Sequence, residues 1–506
     1  MVTVEHGTEE LTVPQYGFLI DHRKCIGCHA CTVACKSEND VPLGNFRTWV
    51  KYTEKGAFPD VRRHFTVLRC NHCDDAPCVE VCPVEALHKR PDAIVDLDRD
   101  LCIGCASCTH ACPYDSIYMN EGTGTAEKCH FCAHRTERGM APACVVVCPE
   151  QAIVAGDVSN PSSEIATLLE SETTSRRRLD KATRPRVWYV DALEESLTPG
   201  CASEPEHFIW SDRQAPPPPV VPGFEPTADL LNVLDVAHPP TWGHHIYTYL
   251  LTKNIAAGIG MVAPFLGLLG VSDSWARDVL PEVLILLFMA ITMVYLIIDL
   301  GKPSRFIKIL THPNMSSWLV KGAFILMAFG LTTAATLALR LFEMDGAAKV
   351  ARFIGLPLAL LTSGYSAWLF AQCKGRELWC EKGTFAHLVT RAAALGGGFV
   401  LLLPAAGFGP SSLFVSATLI SLLVSSRRGW PKEKAAARVA RHHAADGSRQ
   451  LGRILGVMAL ALGLMAGFAS GSIDLATRIL GVASLLTGQF LCERAWIRNG
   501  QEFPNS

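Results

Sequence analysis

The chain has 506 residues, enough for two or three domains, and its net charge of −2 disfavours a nucleic-acid partner. Hydrophobic residues make up 49% of the sequence, but they are unevenly distributed. Residues 1–240 have the composition of a soluble, charged protein, whereas long apolar runs with few charges fill residues 245–495. We therefore expect a soluble part followed by a membrane part.

Cysteine spacing dominates the soluble part. Sixteen of the twenty cysteines fall into four motifs of four. The first and third motifs have the spacing C-x2-C-x2-C-x3-C, the second C-x2-C-x4-C-x3-C and the fourth C-x2-C-x11-C-x3-C. In chain order the sixteen are Cys25, Cys28, Cys31, Cys35, Cys70, Cys73, Cys78, Cys82, Cys102, Cys105, Cys108, Cys112, Cys129, Cys132, Cys144 and Cys148. A secreted disulfide framework is the alternative, but the regular spacing and the following membrane part disfavour it.

This spacing is typical of 4Fe–4S ligands, because three close cysteines on a tight turn can bind three corners of a cube. Gly27 and Gly104 allow backbone amides to approach the sulfurs, and Pro83, Pro113 and Pro149 follow the last cysteine of three motifs. Zinc sites use C-x2-C pairs with a spacer, which only the fourth motif resembles. We therefore predict four 4Fe–4S clusters, with a zinc-binding membrane scaffold as an alternative of another class.

Residues 16–158 resemble the four-cluster iron–sulfur subunits of molybdopterin oxidoreductases such as dimethyl sulfoxide, polysulfide and tetrathionate reductases. The resemblance is carried by YGFLIDHRKCIGCHACTVACKSENDVP, RCNHCDDAPCVEVCPVEAL, DLDRDLCIGCASCTHACPYDSI and KCHFCAHRTERGMAPACVVVCPEQAIVAGD. It implies an α+β ferredoxin-like domain of two pseudo-repeated bacterial-ferredoxin units. One departure from the family pattern is Lys36, which stands where a proline would follow Cys35.

The same resemblance implies that the first motif pairs with the fourth and the second with the third, each exchanging its last cysteine. The four implied ligand sets are Cys25, Cys28, Cys31 and Cys148; Cys35, Cys129, Cys132 and Cys144; Cys70, Cys73, Cys78 and Cys112; and Cys82, Cys102, Cys105 and Cys108.

Residues 159–243 carry no cysteine motif, and four consecutive prolines at 216–219 predict an extended, stiff segment. A plain spacer and a strap that docks on a partner subunit are both open. The expected domains are 1–158, a proline-rich linker or strap at 159–243, and a membrane domain at 244–506.

The membrane part is predicted to be an all-α bundle of about eight transmembrane helices. The candidate spans are 246–270, 279–298, 318–339, 353–371, 385–406, 408–425, 454–469 and 473–495. Loops on the N-terminal side carry fifteen lysines and arginines, and the opposite loops carry four. The positive-inside rule then places the iron–sulfur domain in the cytoplasm, on a bacterial inner membrane. The N-terminal residues show no export signal, which agrees.

DLGKPSRFIKILTHPNMSSWLVKGAF, SGYSAWLFAQCKGRELW and ERAWIRNGQEFPNS resemble NrfD, the polysulfide-reductase-type membrane subunit. This resemblance covers roughly 245–505 and implies electron exchange with a quinone, menaquinone or ubiquinone, without haem. Histidines only at span edges and in loops also disfavour a bis-histidine haem.

Quinone chemistry needs proton-carrying groups at membrane depth, and ionisable residues in spans are functional candidates. The resemblance points to two of them, Asp299 and Tyr365. The full set of quinone-site candidates is Asp299, Tyr365, Lys253, His245, Asn254 and Lys302. A purely structural role, such as an Asp299–Lys302 ion pair or helix–helix hydrogen bonding by Tyr365, is the alternative.

Together these features predict the electron-transfer and membrane-anchor subunit of a quinone-linked oxidoreductase, non-catalytic apart from its quinone half-reaction. A molybdopterin (Mo/W) catalytic subunit, membrane lipid and quinone are the predicted partners. Two related alternatives are the electron conduit of a membrane-bound hydrogenase and a subunit of an alternative quinol-oxidising respiratory complex.

Overall fold

The computed structural model describes residues 13–202, 230–403, 409–427, 447–468, 472–501 and 505. Its N-terminal part mixes short helices and strands, and its C-terminal part is helical, as predicted. The proline run at 216–219 and most of the basic loop at 426–453 lie outside the described residues.

The N-terminal part holds two larger sheets and two hairpins. The strands in the described residues are β1 (Tyr16–Asp21), β2 (Thr48–Ala57), β3 (Asp60–Arg69), β4 (Leu87–Lys89), β5 (Val95–Leu97), β6 (Ile117–Asn120), β7 (Thr125–Lys128), β8 (Ile153–Asp157), β9 (Thr174–Ser175), β10 (Val187–Val190) and β11 (Leu230–Leu234). One sheet has the order β8-β1-β10-β9 and another the order β11-β2-β3. The pairs β4–β5 and β6–β7 are antiparallel hairpins.

Short helices connect the strands. They are α1 (Ala30–Glu38), α2 (Pro77–Val81), α3 (Ser107–Ala111), α4 (Ala133–Thr136), α5 (Ala143–Val146), α6 (Glu164–Ser171) and α7 (Glu194–Leu197). In all four cysteine motifs a helix, α1, α2, α3 or α5, begins one residue before the third cysteine. The repeated spacing therefore produces a repeated local structure.

The residue after the last cysteine decides how long that helix is. Cys82 and Cys112 precede proline and are extended, each with ψ 117°, which ends α2 and α3. A residue before proline is excluded from the helical region by contact with the proline ring. Lys36 replaces proline in the first motif, and α1 runs on to Glu38.

The described parts of 159–243 pack against the cysteine-bearing part. Strand β10 lies parallel to β1, with Phe18 opposite Val187, and β11 pairs with β2. Ile165 of α6 is buried in one cluster with Leu19 and Val190. The domain boundaries themselves stay a prediction.

The C-terminal part is built from long helices joined by short ones. They are α8 (His244–Val262), α9 (Ser274–Asp278), α10 (Leu280–Ile298), α11 (Lys308–Thr311), α12 (Trp318–Leu341), α13 (Asp345–Ala371), α14 (Thr384–Leu402), α15 (Gly409–Arg427), α16 (Gly447–Ala466) and α17 (Ser472–Gln501). Single 3-10 turns lie at Leu179–Lys181, Ala263–Phe265, Pro303–Arg305 and Glu377–Trp379.

Six of these helices, α10, α12, α13, α14, α16 and α17, are long and apolar enough to cross a bilayer, and α15 is a shorter apolar helix. Only 28% of the most apolar stretch of α10, α12, α16 and α17 is buried. The outward faces of these helices are therefore available to lipid, as in a multi-pass membrane domain. We predicted about eight spans, and six helices of the described residues meet the length and composition that a span requires. The number eight stays a prediction.

The two parts meet main chain to main chain. The amide of Gly301, in the loop after α10, donates to the carbonyl of Gly104 at 3.1 Å, and the Lys302 amide donates to Ile103 at the same distance. Gly104 has φ +75°, and a Cβ there would overlap the Gly124 carbonyl oxygen and lie 2.7 Å from Gly301 Cα. Only glycine permits this approach.

We expect Gly104→Ala to destabilise the docking of the two parts by about 3 kcal/mol or more, because strain and overlap add. Gly44→Ala is the matched control: Gly44 has φ +82°, but no atom lies within 4 Å of the position that a Cβ would take. It should cost only about 1–2 kcal/mol of backbone strain. Thermal unfolding in detergent measures both, and equal losses would show that the contact with Gly301 contributes nothing.

Candidate functional site

The cysteine thiols gather around separate cavities, and each cavity draws on two motifs. Three cavities each contain four thiols: Cys25, Cys28, Cys31 and Cys148; Cys35, Cys129, Cys132 and Cys144; and Cys82, Cys102, Cys105 and Cys108. The remaining four are also neighbours, since burial and then the thiols of Cys112, Cys70 and Cys73 raise the pKa of Cys78. These groups have the same members as the ligand sets that the family resemblance implies. Ligation itself stays a prediction.

The cavities fit iron–sulfur cubes better than single ions. Among the described residues, no three His, Cys, Asp or Glu side chains are placed to hold one metal ion. The thiols instead surround a space, and backbone amides point at their sulfurs, from Ala152 to Cys148 at 3.3 Å and from Leu87 to Cys82 at 3.5 Å. N–H donors aimed at sulfur are the usual surroundings of such clusters.

The backbone produces this cradle by turning left-handed at the same place in each motif. The residue before the second cysteine has positive φ in all four: 71° at Gly27, 43° at His72, 75° at Gly104 and 62° at Phe131. The bend lets each turn wrap around its cavity. Two of these positions are not glycine, so the glycines alone would not have revealed the full pattern.

Burial disfavours the thiolate form of the motif cysteines. It raises the pKa of Cys31 to about 11 and that of Cys35 to about 12. Thiolates are the form that binds metal, so cluster binding must displace protons that the buried thiols otherwise keep.

Arg69 is a buried cation that lies beside a cysteine thiol, and the cysteine motifs did not predict it. Arg69 is fully buried at the end of β3, with Nη1 3.3 Å from Cys144 Sγ and Nη2 3.1 Å from Thr48 Oγ1. A buried guanidinium needs negative charge nearby. Its position directly before Cys70 is the one sequence signal, and it is weak, because a basic residue next to a ligand is common on surfaces.

The four thiol sets adjoin one another in one order, which we call the line of thiol sets. Electrostatic interaction couples Cys31 to Cys144, Cys129 to Cys70, and Cys108 to Cys78, so each set adjoins the next. The order runs from the Cys25 set, through the Cys35 and Cys70 sets, to the Cys82 set. Spacing alone does not give this order.

The two ends of the line differ in exposure. At one end Cys28 is exposed, among the exposed apolar side chains of Ile26, Val33, Val146 and Val147. This end has the character of a protein-docking surface.

The other end faces the membrane part. Trp242 Nε1 donates to the Cys105 carbonyl at 3.1 Å, and Asn314 Nδ2 donates to the Cys82 carbonyl at 2.8 Å. The Arg376 guanidinium lies 3.2 Å from Asp115, three residues after Cys112. The membrane part therefore holds the turns of the last thiol set directly.

The quinone-site candidates separate into two groups. Near the iron–sulfur part, His245 Nδ1 lies 3.4 Å from Asp299 Oδ1, so the carboxylate faces a histidine. Deeper in the bundle, Lys253 Nζ lies 4.5 Å above the Tyr365 ring and 2.5 Å from Ser366 Oγ.

The other two candidates have structural contacts. Asn254 Oδ1 lies 3.1 Å from the Ser363 hydroxyl in the deeper group. Lys302 contacts the third cysteine motif through its backbone amide.

Tyr249 was not among the candidates. It is buried in one cluster with Tyr365. His245, Tyr249 and Lys253 follow one another at intervals of four on α8, so they share one helix face. That spacing was a usable signal in the sequence.

Comparison with known proteins agrees with both parts. Residues 24–86 and 61–158 match models described as 4Fe-4S dicluster domains, and residues 233–424 match the model "Polysulphide reductase, NrfD". The B subunit of tetrathionate reductase from Salmonella typhimurium is 44% identical over 189 residues, which are 37% of this chain and 76% of the relative.

Two further relatives match the same part. Protein NrfC of Escherichia coli is 42% identical over 179 residues, covering 35% of this chain and 80% of the relative. The B polypeptide of polysulfide reductase from Wolinella succinogenes is 41% identical over 181 residues, covering 35% and 94%.

We expect Arg69→Gln to lower the reduction potential of the cluster site lined by Cys144, because a nearby positive charge favours the reduced, more negative state. The shift should be about 60 mV or more, the one-electron equivalent of about 1.4 kcal/mol. A potentiometric titration followed by electron paramagnetic resonance measures it. Arg62→Gln, on the exposed part of β3, should leave the potential unchanged. An unshifted Arg69→Gln, or an Arg69→Lys protein with the same shift, would contradict the role of charge.

Proposed function

The protein belongs to the family of iron–sulfur electron-transfer subunits that includes those of tetrathionate reductase and polysulfide reductase, here joined to an NrfD membrane anchor, and we propose that it passes electrons between a catalytic partner and membrane quinone. The observation that carries the proposal is the line of four thiol sets. It begins at an exposed apolar surface around Cys28 and ends against the loop that follows Asp299.

Four 4Fe–4S clusters, each held by one of the four thiol sets, would supply one-electron transfer along this line. The protein contributes the order of the sets, the buried cavities and the N–H donors on the sulfurs. Arg69 supplies positive charge beside the second set. The lack of haem stays a prediction.

We assign the quinone site to the group around Asp299. Quinone reduction takes up two protons with two electrons, so titratable groups must lie next to the last cluster site. His245 and Asp299 are in contact there, and Tyr249, Lys253 and Tyr365 continue the polar face into the bundle. Asp299 and His245 would hold the quinone oxygen and hand over protons. The nature of the quinone, menaquinone or ubiquinone, is open.

The partner is proposed to be a molybdopterin subunit carrying molybdenum or tungsten, since two of the named relatives are subunits of tetrathionate reductase and polysulfide reductase. Ile26, Val33 and Val146 offer it an apolar contact beside the first thiol set. We further propose that this face lies in the cytoplasm, as the loop charges predict, and that the protein crosses a bacterial inner membrane with eight spans. Because β10 pairs with β1, we place residues 159–202 with the iron–sulfur domain.

Metal analysis of the purified protein is the first test. We expect about sixteen irons per chain, four for each of four cubes. Cys78→Ser, in the deeply buried third set, should lose about four irons or destabilise the protein, whereas Cys201→Ser, outside the motifs, should keep all of them. Zinc in place of iron would refute the cluster assignment. Bound molybdenum or tungsten identifies the partner, and nickel or co-purifying haem subunits would favour the hydrogenase or quinol-oxidising alternatives.

Replacing the candidate proton group tests the quinone assignment. We expect Asp299→Asn to slow reduction of the clusters by a quinol analogue roughly 100-fold, the scale of a lost general base. Reduction by dithionite should be unchanged, because the clusters remain. Asp345→Asn is the control, an exposed aspartate at the opposite end of the bundle. Normal quinol oxidation by Asp299→Asn would move the site elsewhere.

A further inference from the structure

The second half of the helix bundle contains a cavity that the electron route does not use. It has a volume of about 100 Å³ and lies between α14, α15, α16 and α17. Thr384, at the start of α14, follows the loop in which Arg376 pairs with Asp115 of the iron–sulfur part. Gln501, at the end of α17, hydrogen bonds the Trp242 backbone. The cavity therefore lies toward the membrane face that carries the iron–sulfur part.

Positive charge dominates the lining of this cavity. Of the described residues, three arginines, Arg391, Arg449 and Arg453, line it together with one acid, Glu381. Arg449 is half-buried and Arg453 is exposed, both in the first two turns of α16. They form the outer part of the site.

The buried end of the cavity is formed by polar side chains that contact one another. Arg391 is buried, with Nη1 3.2 Å from Glu493 and Nη2 2.8 Å from the Gln489 carbonyl. The same guanidinium lies 3.2 Å from His387, whose other ring nitrogen lies 3.2 Å from Ser425. Glu493 pairs with Arg391, so Arg449 and Arg453 are the lining arginines nearer to the entrance of the site.

Beside the arginines the lining becomes apolar. Gly452 and Gly488 bring α16 and α17 so close that a Cβ on Gly452 would lie 2.8 Å from the Gly488 carbonyl oxygen. Leu422 and Leu485 cover the adjoining wall. A ligand that suits this arrangement has an anionic end and a hydrocarbon end.

We propose that this cavity binds the phosphate headgroup of an anionic phospholipid from the leaflet on the iron–sulfur side. Arg449 and Arg453 hold the phosphate, because guanidinium groups match phosphate oxygens in paired hydrogen bonds. The first part of an acyl chain lies against Leu422. Basic pockets between transmembrane helices on one face are suited to such headgroups. The lipid fastens α15 to α16 and takes no part in electron transfer.

The test uses the full-length protein, purified with its partners in mild detergent. Native mass spectrometry of retained lipid and thermal unfolding with added phosphatidylglycerol, phosphatidylcholine or inorganic phosphate are compared. We expect retained anionic phospholipid and a higher Tm with phosphatidylglycerol alone. Arg449→Gln/Arg453→Gln should weaken the lipid effect tenfold or more. Arg498→Gln, exposed near the same end of α17 and outside the cavity, should not.

Cluster absorbance checks that each variant is folded and keeps this test separate from the electron-transfer proposal. If the double variant cannot be purified, the single change at exposed Arg453 carries the comparison. Equal stabilisation by phosphatidylcholine, or lipid retention unchanged in the arginine variants, would overturn the proposal. Stabilisation by inorganic phosphate alone, lost in the same variants, would assign the site to a free phosphate ion and overturn the lipid assignment.

Discussion

The exchange of a cysteine between distant motifs is the constraint on which the N-terminal part depends. Cys148 lies beside Cys25, Cys28 and Cys31, although more than a hundred residues separate them, and Cys35 lies beside Cys144 in return. Each cavity is complete only when both motifs are in place. The first and fourth motifs must therefore meet before the two cavities that they share are complete, so filling those two cavities is expected to be coupled to folding of the N-terminal part.

This arrangement also suits the proposed path of electrons through the N-terminal part. Motif pairing places two thiol sets in each half, and Cys129 of one half interacts electrostatically with Cys70 of the other. Buried thiols keep water out of the interior of the line, while Cys28 remains exposed at its end. The path has one surface terminus and one membrane terminus, as an electron conduit between two partners requires.

Glycine determines how closely the membrane terminus can approach. Gly104 and Gly301 touch through their backbones, so the last thiol set lies directly over the loop that begins at Asp299. A side chain at either position would push the parts away from each other. Electron transfer weakens with distance, so a backbone contact serves the function better than a layer of side chains.

Two buried arginines of the helical part are paired with carboxylates, whereas buried Lys253 lies against the Tyr365 ring and the Ser366 hydroxyl. Arg352 meets Glu282 at 2.6 Å near the face remote from the clusters, and Arg391 meets Glu493. Removing one member of such a pair leaves an uncompensated charge in a low-dielectric setting. His245 and Asp299 differ because they lie at helix ends with side chains 29% and 15% exposed, where protons can be exchanged.

The sequence by itself determined what depends on local spacing and composition. Cysteine intervals predicted the turns and their ligands, Lys36 marked the one motif whose helix runs on, and apolar runs marked the long helices. The order of the thiol sets, the pairing of β10 with β1, and the positions of Arg69 and Tyr249 came only from tertiary structure. Each of these joins residues far apart in the chain, and residue spacing carries no information about which distant segments pack together.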